Sequence, residues 1–396
     1  MKILFILSGN ISTTPRAFQS IITAQKHHSV TVLGIDRSHI WSKIDKGIIK
    51  QNKLDYFSVS LGRKPLLKWL FCTIVHFVST GLYEAFKKNL KISAYASSKA
   101  SVLLVNKLKN YNNDFDLIIG YSYGSIFPVY DFARKRKIPF VIDVEDYYPG
   151  EKCHAKEKYR REMILKLLLP KAGFVTFSSQ GIKEETEKLA GIKYPESHVI
   201  VNSFPAEEFS SPQIVDSEKL RMIWFSQNIN YGRGLEEFLQ AADSFSDKIE
   251  IVLVGNTDDE FYTEYLKNRS FISVMPPMPR KNLHHLLSEF DIGLALEISS
   301  VDLNKDIALS NKIFAYAQAG LYILATNTKG QKAFLESNKC DGLLCSQTTG
   351  SMRSSIQKLI EQKPEIRIGT KKRYNNASSI SWEYQALTLL DIWKNI

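Results

Sequence analysis

The sequence predicts an α/β protein with two successive domains, each a parallel sheet covered by helices. Short apolar runs typical of buried strands alternate with amphipathic helical segments along both halves of the 396-residue chain. The alternation stops at positions 203–220, where SFPAEEFSSPQIVDSEKL is rich in Pro, Ser and acidic residues and indicates a linker. A chain of this length accommodates two domains of ordinary size, so each half is predicted to form its own sheet.

The first half opens with a strand, KILFIL, and a turn of small and polar residues from Ser8 to Asn10. Pro15 opens a helix that runs to about Lys26, and HSVTVLGID forms the second strand. A strand, a turn containing Gly9, a helix and a strand, in that order, are typical of nucleotide-binding α/β domains. The stretch contains no GxGxxG, so it lacks the dinucleotide-binding fingerprint.

Three acidic residues follow a later strand of the first half. In IPFVIDVEDYYPGE, the strand leads into a loop that carries Glu145, Asp146 and Glu151. Ligands of open α/β sheets bind at the carboxyl ends of strands, which makes this loop a candidate catalytic site. The alternative is a solvated acidic loop that offsets the nearby lysines and arginines.

The segment 64–90, KPLLKWLFCTIVHFVSTGLYEAFKKNL, has an apolar centre with lysines at both ends. Its flanking lysines are Lys64, Lys68, Lys87 and Lys88. Lys68 and His76 interrupt the apolar run, which argues against a membrane span. One interpretation is a basic amphipathic surface that enters an anionic bilayer through Trp69, Phe71 and Phe77. The other is an ordinary buried helix pair that separates near Gly81.

The second half begins with RMIWFSQNIN, a strand predicted to end at Ser226, and a glycine-bearing loop, NYGRG. The backbone N–H groups of Gly232 and Gly234, with Arg233 between them, could hold a phosphate. A plain tight turn fits the same residues. The adjacent His284 and His285, on a later helix, point to different sides and are predicted to be surface residues rather than a metal pair.

Residues 290–330 combine features of an anion-binding site. Ile292 to Leu296 forms a strand that Glu297 closes, and a polar loop from 299 to 310 leads to a helix that stops at Gly320. Ser310 stands at the N-cap position, and Asn311 and Lys312 open the helix. Free N–H groups at a helix start favour a phosphate, and Lys312 adds a full positive charge. A capped amphipathic helix with an exposed lysine is the simpler alternative.

The formal charge of +11 points to anionic partners: nucleic acid, an acidic membrane face or phosphorylated small molecules. No zinc-finger spacing or RNA-binding aromatic motif accompanies the charge, which disfavours nucleic acid. The four cysteines form no CxxC pair, which favours a reduced, cytoplasmic protein. The sequence predicts neither a signal peptide nor a transmembrane helix.

Four motifs, in order, resemble those of GT-B glycosyltransferases, and of family 4 in particular. They are VIDVEDYYPGE, VTFSSQGIKEETEKLAG with VIVNSFPAEEF, FSQNINYGRGLEEFLQA, and SNKIFAYAQAGLYILAT. The first resembles the "D-x-x-D-x-W-P-E" variant of capsule and O-antigen transferases. The last resembles "P-N-K-x-x-E-Y-x-A-x-G-x-P-V-x-A-T". The likeness covers most of the chain and is strongest over residues 140–330.

The resemblance implies two Rossmann-like domains facing a central cleft. It places an acceptor domain at 1–203, a nucleotide-sugar domain at 204–378, and a C-terminal helix at 379–396 that crosses back to the first domain. The implied activity is a retaining, metal-independent hexosyltransferase without a cofactor, using a UDP- or GDP-linked donor. The implied acceptor is lipid-linked or polysaccharide, in cell-surface glycan synthesis. The lysine-flanked apolar segment and the net charge add the anionic cytoplasmic face of the inner membrane as an expected partner.

Site roles follow from the same resemblance. Arg233 and Lys312 neutralise the diphosphate, and the helix start at Ser310 and Asn311 adds N–H donors. Gly9 lets the first loop approach the donor, and Glu297 contacts the sugar. The remaining expected site residues are Glu145 and Asp146, near the reacting groups, and Ser226 and Gly232, on the donor side.

The sequence departs from the family pattern at the glutamate expected to hold the ribose, where Ala315 stands. The loop after Glu297 is longer than usual, Tyr322 replaces a proline, and a glycine is replaced near Gln227. Two alternatives stay open: a non-catalytic sugar-binding or partner-binding module, which Ala315 favours, and another GT-B protein such as a nucleotide-sugar epimerase. An epimerase requires histidine and carboxylate groups facing the sugar, and neither half places a histidine at a strand end in the appropriate loops.

Overall fold

The computed structural model describes residues 1–37, 39–194, 197–213, 217–337 and 340–395. The chain divides into two compact units, one made of Met1–Ile200 with Ala386–Ile396 and the other of Val201–Gln385. We call them unit 1 and unit 2. The predicted ranges 1–203, 204–378 and 379–396 remain a proposal for the functional domains.

Unit 1 contains, among the described residues, seven parallel strands in the order β3-β2-β1-β4-β5-β6-β7. The strands are β1 (Lys2–Leu7), β2 (Ser29–Asp36), β3 (Asp55–Ser60), β4 (Leu117–Tyr121), β5 (Phe140–Val144), β6 (Phe174–Phe177) and β7 (Ser197–Val199). The helices are α1 (Pro15–Gln25), α2 (His39–Gln51), α3 (Leu66–Leu82), α4 (Leu90–Ser97), α5 (Lys99–Leu108), α6 (Ile126–Arg136), α7 (Ala155–Leu168) and α8 (Gln180–Ala190).

Unit 2 contains, within the same described ranges, six parallel strands in the order β10-β9-β8-β11-β12-β13. The strands are β8 (Leu220–Ile229), β9 (Ile249–Thr257), β10 (Ile272–Met275), β11 (Ile292–Ala295), β12 (Tyr322–Thr326) and β13 (Gly342–Cys345). The helices are α9 (Leu235–Ala242), α10 (Asp259–Phe261), α11 (Arg280–Leu287), α12 (Leu303–Ile307), α13 (Asn311–Gln318), α14 (Lys329–Glu336), α15 (Thr349–Glu361) and α16 (Lys363–Asn376).

The predicted α/β class with two parallel sheets is confirmed, and burial explains it. The central strands read as continuous apolar runs, such as FVIDV in β5, because helices cover both faces of each sheet. The last helix, α17 (Trp382–Lys394), starts in unit 2 and ends in unit 1. Its Trp393 is buried and meets Phe5 of β1 edge-on, with 6.3 Å between the ring centroids.

Three local predictions for unit 2 are wrong. β8 runs past Ser226 to Ile229, because β9 is nearly as long and pairs Thr257 with Ile229 after a register shift. The loop 299–310 contains the short helix α12, which the Asp302 side chain caps by accepting from the Lys305 N–H at 2.7 Å. His284 is buried rather than exposed, because its ring pairs with a carboxylate and stacks on Phe209.

None of the described helices is long and apolar enough to cross a membrane.

Close packing of α13 on β11 gives a test of the fold. A Cβ added to Gly293 would lie 2.2 Å from Cγ of Tyr316, a buried ring whose hydroxyl donates to the Leu294 carbonyl at 3.3 Å. We therefore expect Gly293→Ala to lower the free energy of unfolding by about 1–3 kcal/mol, as overpacked cores do. Urea denaturation monitored by circular dichroism measures the change.

The control variant is Gly350→Ala in α15 of the same unit, where a Cβ would meet nothing within 4 Å. It should leave stability unchanged or raise it by up to about 1 kcal/mol, because alanine restricts the unfolded chain. Equal destabilisation by both variants would contradict the packing of Tyr316 against β11.

Candidate functional site

Each sheet, as far as it is described, has one position where the strand order reverses, and the candidate residues lie at or next to it. In unit 1 the reversal lies between β1 and β4, and in unit 2 it lies between β8 and β11. Loops leave such a point in opposite directions and open a crevice at the carboxyl ends of the strands, which is where open α/β sheets bind ligands.

A cavity of about 370 Å³ lies at the reversal in unit 1. Its lining residues are Ser8, Gly9, Asn10, Thr13, Thr14, Arg37, Trp41 and Ser122. Arg37 follows β2, and its guanidinium donates to the Ser8 carbonyl at 2.8 Å while its backbone N–H donates to Asn10 Oδ1 at 3.0 Å. The cavity is therefore lined by a cation and by several hydroxyl and amide side chains.

Buried polar contacts fix the loop after β1. Asn10 Nδ2 donates to Asp45 Oδ2 at 2.8 Å, and the Ser12 N–H donates to Asp45 Oδ1 at 3.0 Å. Asp45 is only 2% exposed, so the loop is anchored to α2 before any ligand arrives.

Gly9 lies in the cavity wall. A Cβ built there would lie 3.6 Å from Thr13 Oγ1 and 3.7 Å from Arg37 Nε, which is ordinary van der Waals contact. The fold therefore tolerates a methyl group at Gly9, and the methyl would take up space in the cavity.

A buried ion pair lies beneath this site. Arg16 of α1 donates to Asp143 of β5 through Nε at 2.9 and 3.0 Å and through Nη2 at 2.7 Å. Arg16 also donates to the Ile200 carbonyl, and Thr176 donates to Asp143 at 2.5 Å. Burial would lower the pKa of Arg16, but the Asp143 carboxylate outweighs burial and raises it.

Glu145, at the carboxyl end of β5, has a defined hydrogen-bond partner and a shifted pKa. Ser122 Oγ donates to its Oε2 at 2.8 Å, which ties Glu145 to the cavity wall. Burial, reinforced by repulsion from Asp143, raises the pKa of Glu145 from 4.5 to about 7. Ser122 has φ 66° and ψ 155°, a conformation unusual for a residue other than glycine and one that concentrates at functional sites.

The other two acids of the loop have different surroundings. Asp146 is half-buried beside Glu145, and its carbonyl accepts the Tyr148 N–H at 3.0 Å. Glu151 forms an ion pair with Arg161 of α7 at 2.5 Å. Glu145 and Asp146 therefore lie side by side after β5, and Glu151 is paired with Arg161.

In unit 2 the glycine loop after β8 lies against the end of β11. Gly234 has φ 75°, and a Cβ there would lie 3.1 Å from the Leu296 carbonyl oxygen. Arg233 is exposed, and its Nε donates to Asn230 Oδ1 at 3.2 Å. The Gly232 N–H donates to Glu236 Oε1 at 2.6 Å, so this amide already has an anionic partner within the protein.

Glu297 and Lys312 form an ion pair at the reversal of the second sheet. Lys312 Nζ lies 2.8 Å from Glu297 Oε1, and each side chain is 16% exposed. The ammonium also lies 5.7 Å from the ring centroid of buried Trp224. Burial would raise the pKa of Glu297, but Lys312 outweighs burial and lowers it.

The backbone around Glu297 is firmly held. The Glu297 N–H donates to Thr326 Oγ1 at 2.8 Å, and that hydroxyl donates back to the Glu297 carbonyl at 2.7 Å. Gln347 Nε2 also donates to the same carbonyl. The carboxylate therefore projects from a rigid turn, which suits a contact with a ligand.

The start of α13 differs from a conventionally capped helix. Ser310 is at the N-cap position, but its side chain makes no capping hydrogen bond; it lies beside Glu297 and helps to lower the pKa of that carboxyl. Asn311 is exposed in the first turn. Ser226 is half-buried within β8 and not in a loop, so its predicted ligand contact would come from the strand.

Ala315 is fully buried in the apolar core of unit 2, beside Phe314 and Tyr316. The carboxylate that the family pattern places here has no counterpart at this position. Tyr322 is half-buried, and the Arg373 guanidinium lies 5.7 Å from its ring centroid.

Sequence reasoning missed Arg37 and the Arg16–Asp143 pair. The sequence does contain a feature that identifies Arg37 as a site residue, because Arg37 directly follows the strand next to the Gly9 loop. A feature of the sequence also identifies Asp143, because an acid inside the apolar run FVIDV requires a partner. Its partner lies 127 positions away, and no local pattern identifies it.

No protein-family model matches the chain, and no curated protein sequence matches it. Solved structures match it over its whole length. HepE from Anabaena in complex with UDP has a TM-score of 0.70 at 13% identity, covering 100% of both chains. Sucrose-phosphate synthase from Thermosynechococcus elongatus has a TM-score of 0.69 at 13% identity, covering 100% of this chain and 98% of that one.

UDP-GlcNAc 2-epimerase from Neisseria meningitidis bound to UDP-GlcNAc is also similar, with a TM-score of 0.58 at 13% identity over 100% of both chains. Identities this low establish the fold alone. The predicted GT-B fold class is confirmed at this level: two parallel-sheet α/β units in one chain.

The raised pKa of Glu145 predicts a pH dependence of stability. The folded pKa of about 7 lies above the ordinary 4.5, so folding disfavours the ionised carboxyl. Stability should therefore fall as pH rises from about 4.5 through about 7, because the folded state binds the extra proton. We expect the stability of Glu145→Gln to decline less with pH. At pH 8 its free energy of unfolding should exceed that of the unmodified protein by roughly 1–3 kcal/mol.

Urea unfolding across this pH range measures the effect, with Glu184→Gln on the exposed face of α8 as the control. The control should follow the unmodified protein at every pH. Parallel curves for the unmodified protein and Glu145→Gln would show that Glu145 ionises normally.

Proposed function

We propose that the protein is a glycosyltransferase that takes its sugar from a nucleotide diphosphate sugar bound to unit 2. The observation that carries this proposal is the group of charges at the reversal of the second sheet. There the Arg233 loop abuts Leu296, and the next residue, Glu297, pairs with Lys312 at the start of α13. A helix start, a lysine and a nearby arginine match the charge of a diphosphate.

The Glu297–Lys312 pair offers a donor one cation for its diphosphate and one carboxylate for its sugar. Lys312 is held within reach of the helix start, and a diphosphate placed there shares the ammonium with Glu297. Glu297 remains an acceptor for sugar hydroxyls from its rigid turn. Arg233 is exposed and adds a guanidinium, which binds phosphate through two parallel hydrogen bonds.

These cations act on the reaction itself. Negative charge grows on the leaving diphosphate as the glycosidic bond breaks, so fixed positive charge stabilises the transition state more than the ground state. On this proposal Arg233 and Lys312 supply that charge and the reaction needs no metal ion or cofactor.

The acceptor is proposed to bind at the cavity of unit 1, near Glu145. A carboxyl with a pKa of about 7 can take a proton from a hydroxyl near neutral pH. Asp146 lies beside it. Retention of configuration, membership of family 4, and an acceptor in capsule or O-antigen synthesis are proposed from the motif resemblance.

The donor is proposed to be UDP- or GDP-linked. Structures of similar fold include HepE from Anabaena in complex with UDP-glucose, which supports a uridine nucleotide. Ala315 cannot contact a ribose hydroxyl as a glutamate would, so another group must bind the ribose.

A nucleotide-sugar epimerase is the second candidate, because an epimerase shares the fold. His284 does not supply the acid or base that this chemistry needs. It is 1% exposed, and its Nδ1 lies 2.9 Å from Glu208 in a structural pair. A non-catalytic sugar-binding module is the third candidate, favoured by Ala315.

A thermal-shift screen of UDP, GDP and the sugars linked to them tests whether the protein binds nucleotide sugars at all. A ligand at about a hundred times its dissociation constant should stabilise the protein by about 2.7 kcal/mol. Release of the nucleoside diphosphate from the matching sugar nucleotide, in the presence of EDTA, then distinguishes a metal-independent transferase from a binding module. Interconversion of the sugar without release would identify an epimerase.

We predict that Arg233→Ala and Lys312→Ala each reduce kcat/KM by about 10²–10³-fold, as loss of one transition-state contact does. Arg233→Lys should be intermediate, because lysine keeps the charge but loses the two parallel hydrogen bonds. Initial rates of diphosphate release measure the effect, and melting temperatures without ligand check folding.

Lys332→Ala on α14 is the matched control, because Lys332 is exposed and lies outside the proposed site. It should retain normal turnover. Normal turnover in Arg233→Ala and Lys312→Ala as well would remove the diphosphate assignment.

A further inference from the structure

The helix α3 presents an apolar face to solvent. Leu67 is 83% exposed and Phe77 is 78% exposed. The other large apolar side chains exposed on α3 or just after it are Leu66, Leu70, Phe71, Ile74, Val78, Leu82 and Phe86. Isolated exposed leucines are normal on protein surfaces, whereas a contiguous apolar patch marks an interaction site.

The exposed residues follow the helical repeat. Positions 67, 70, 71, 74, 77 and 78 recur at intervals of three and four, so they form one stripe along the helix. The opposite side carries buried Cys72 and Ser79. α3 therefore points its more apolar side outward, the reverse of an ordinary amphipathic helix on a protein core.

The inner side of α3 is attached to the rest of unit 1. His76 Nδ1 lies 2.6 Å from the Tyr95 carbonyl of α4, and Lys99 Nζ of α5 lies 3.4 Å from Thr73 Oγ1. Trp69 is half-buried, with the Lys99 ammonium 5.8 Å from its ring centroid, and lies off the apolar stripe. Trp69 is therefore not a surface contact, unlike Phe71 and Phe77.

Cations border the stripe at both ends. Between positions 61 and 98 the sequence has six lysines and arginines, and Glu84 is its only acid. Glu84 is already paired, with Lys87 at 3.1 Å and Lys156 of α7 at 3.4 Å. The basic residues are Arg63, Lys64, Lys68, Lys87, Lys88 and Lys91.

We propose that α3 is a docking surface for an anionic lipid bilayer. An apolar stripe bordered by lysines and arginines matches the interfacial region of such a bilayer, where acyl chains lie below negatively charged headgroups. The helix lies in the plane of the membrane, with Leu67, Ile74 and Phe77 among the acyl chains and the flanking lysines at headgroup level. An apolar protein partner would need no such excess of positive charge.

The docking surface lies close to the cavity of unit 1. Lys99 of α5 contacts α3, and the preceding Ser98 lies at Gly124, where an added Cβ would be 2.9 Å from Ser98 Oγ and 2.8 Å from Ser8 Cβ. Ser8 lines the cavity. If the proposed function holds, a membrane-bound acceptor with a lipid tail reaches the cavity from this side; membrane docking itself does not depend on that function.

Vesicle sedimentation without any sugar nucleotide tests the docking. The full chain should bind vesicles of phosphatidylcholine with phosphatidylglycerol, and bind weakly to phosphatidylcholine alone. Binding should fall when NaCl rises from about 0.1 M to about 1 M, because the screening length shortens from about 10 Å to about 3 Å. Changing Lys64, Lys68, Lys87 and Lys88 to Gln should weaken binding on the order of 10²-fold or more, since each lysine contributes about fivefold.

A double variant tests how much the apolar side chains of α3 contribute to vesicle binding. Leu67→Ser with Phe77→Ser should reduce binding at least tenfold and leave the melting temperature unchanged. The matched control is Ile368→Ser with Leu387→Ser, which replaces two comparably exposed apolar residues, 82% and 67% exposed, on α16 and α17. The control should bind vesicles as the unmodified protein does.

Two outcomes would overturn the proposal. One is no preference for anionic vesicles at low salt. The other is a stable dimer, seen by analytical ultracentrifugation, that Leu67→Ser with Phe77→Ser converts to monomers, because α3 would then be an interface between two copies. Neither outcome affects the nucleotide-sugar assignment, which the thermal-shift screen tests separately.

Discussion

The buried pair of Arg16 and Asp143 is the interaction on which the first site depends. It joins the first helix to the fifth strand, and Arg16 also donates to the Ile200 carbonyl where unit 1 ends its first segment. Two charges this deeply buried persist only as partners, since removing one leaves the other uncompensated. The Asp143 carboxylate also repels a negative charge on Glu145, two positions later, and so helps burial to raise the pKa of Glu145 to about 7.

The two sheets present different sets of charged groups at the same topological position. Beside the reversal in unit 1, the Glu145 carboxyl accepts a hydrogen bond from Ser122 in the cavity wall, which suits proton transfer to or from a hydroxyl. The reversal in unit 2 carries Arg233 and Lys312 near a helix start, which suits a phosphate. If the proposed function holds, the same architecture binds two different substrates, because the loops differ between the two sheets.

The sequence predicted both sheets and the grouping of Glu297 with Lys312, because those features depend on local apolar runs and helix starts. It did not predict the contacts that give these residues their properties. Asp143 and Arg16 are distant in sequence, and the extension of β8 beyond Ser226 depends on the length of its neighbour β9. Ala315 was recognised as a departure, but only packing shows that its side chain is part of the core.

The position of Trp393 near the end of the chain affects how unit 1 folds during synthesis. Unit 1 is assembled from the first two hundred residues and the last eleven, so its Trp393 cannot cover Phe5 until the whole of unit 2 has been translated. At about 5–20 residues per second, the intervening segment takes on the order of 10–40 s. During that interval the nascent first sheet lacks the contact with Trp393, and this part of its core stays uncovered.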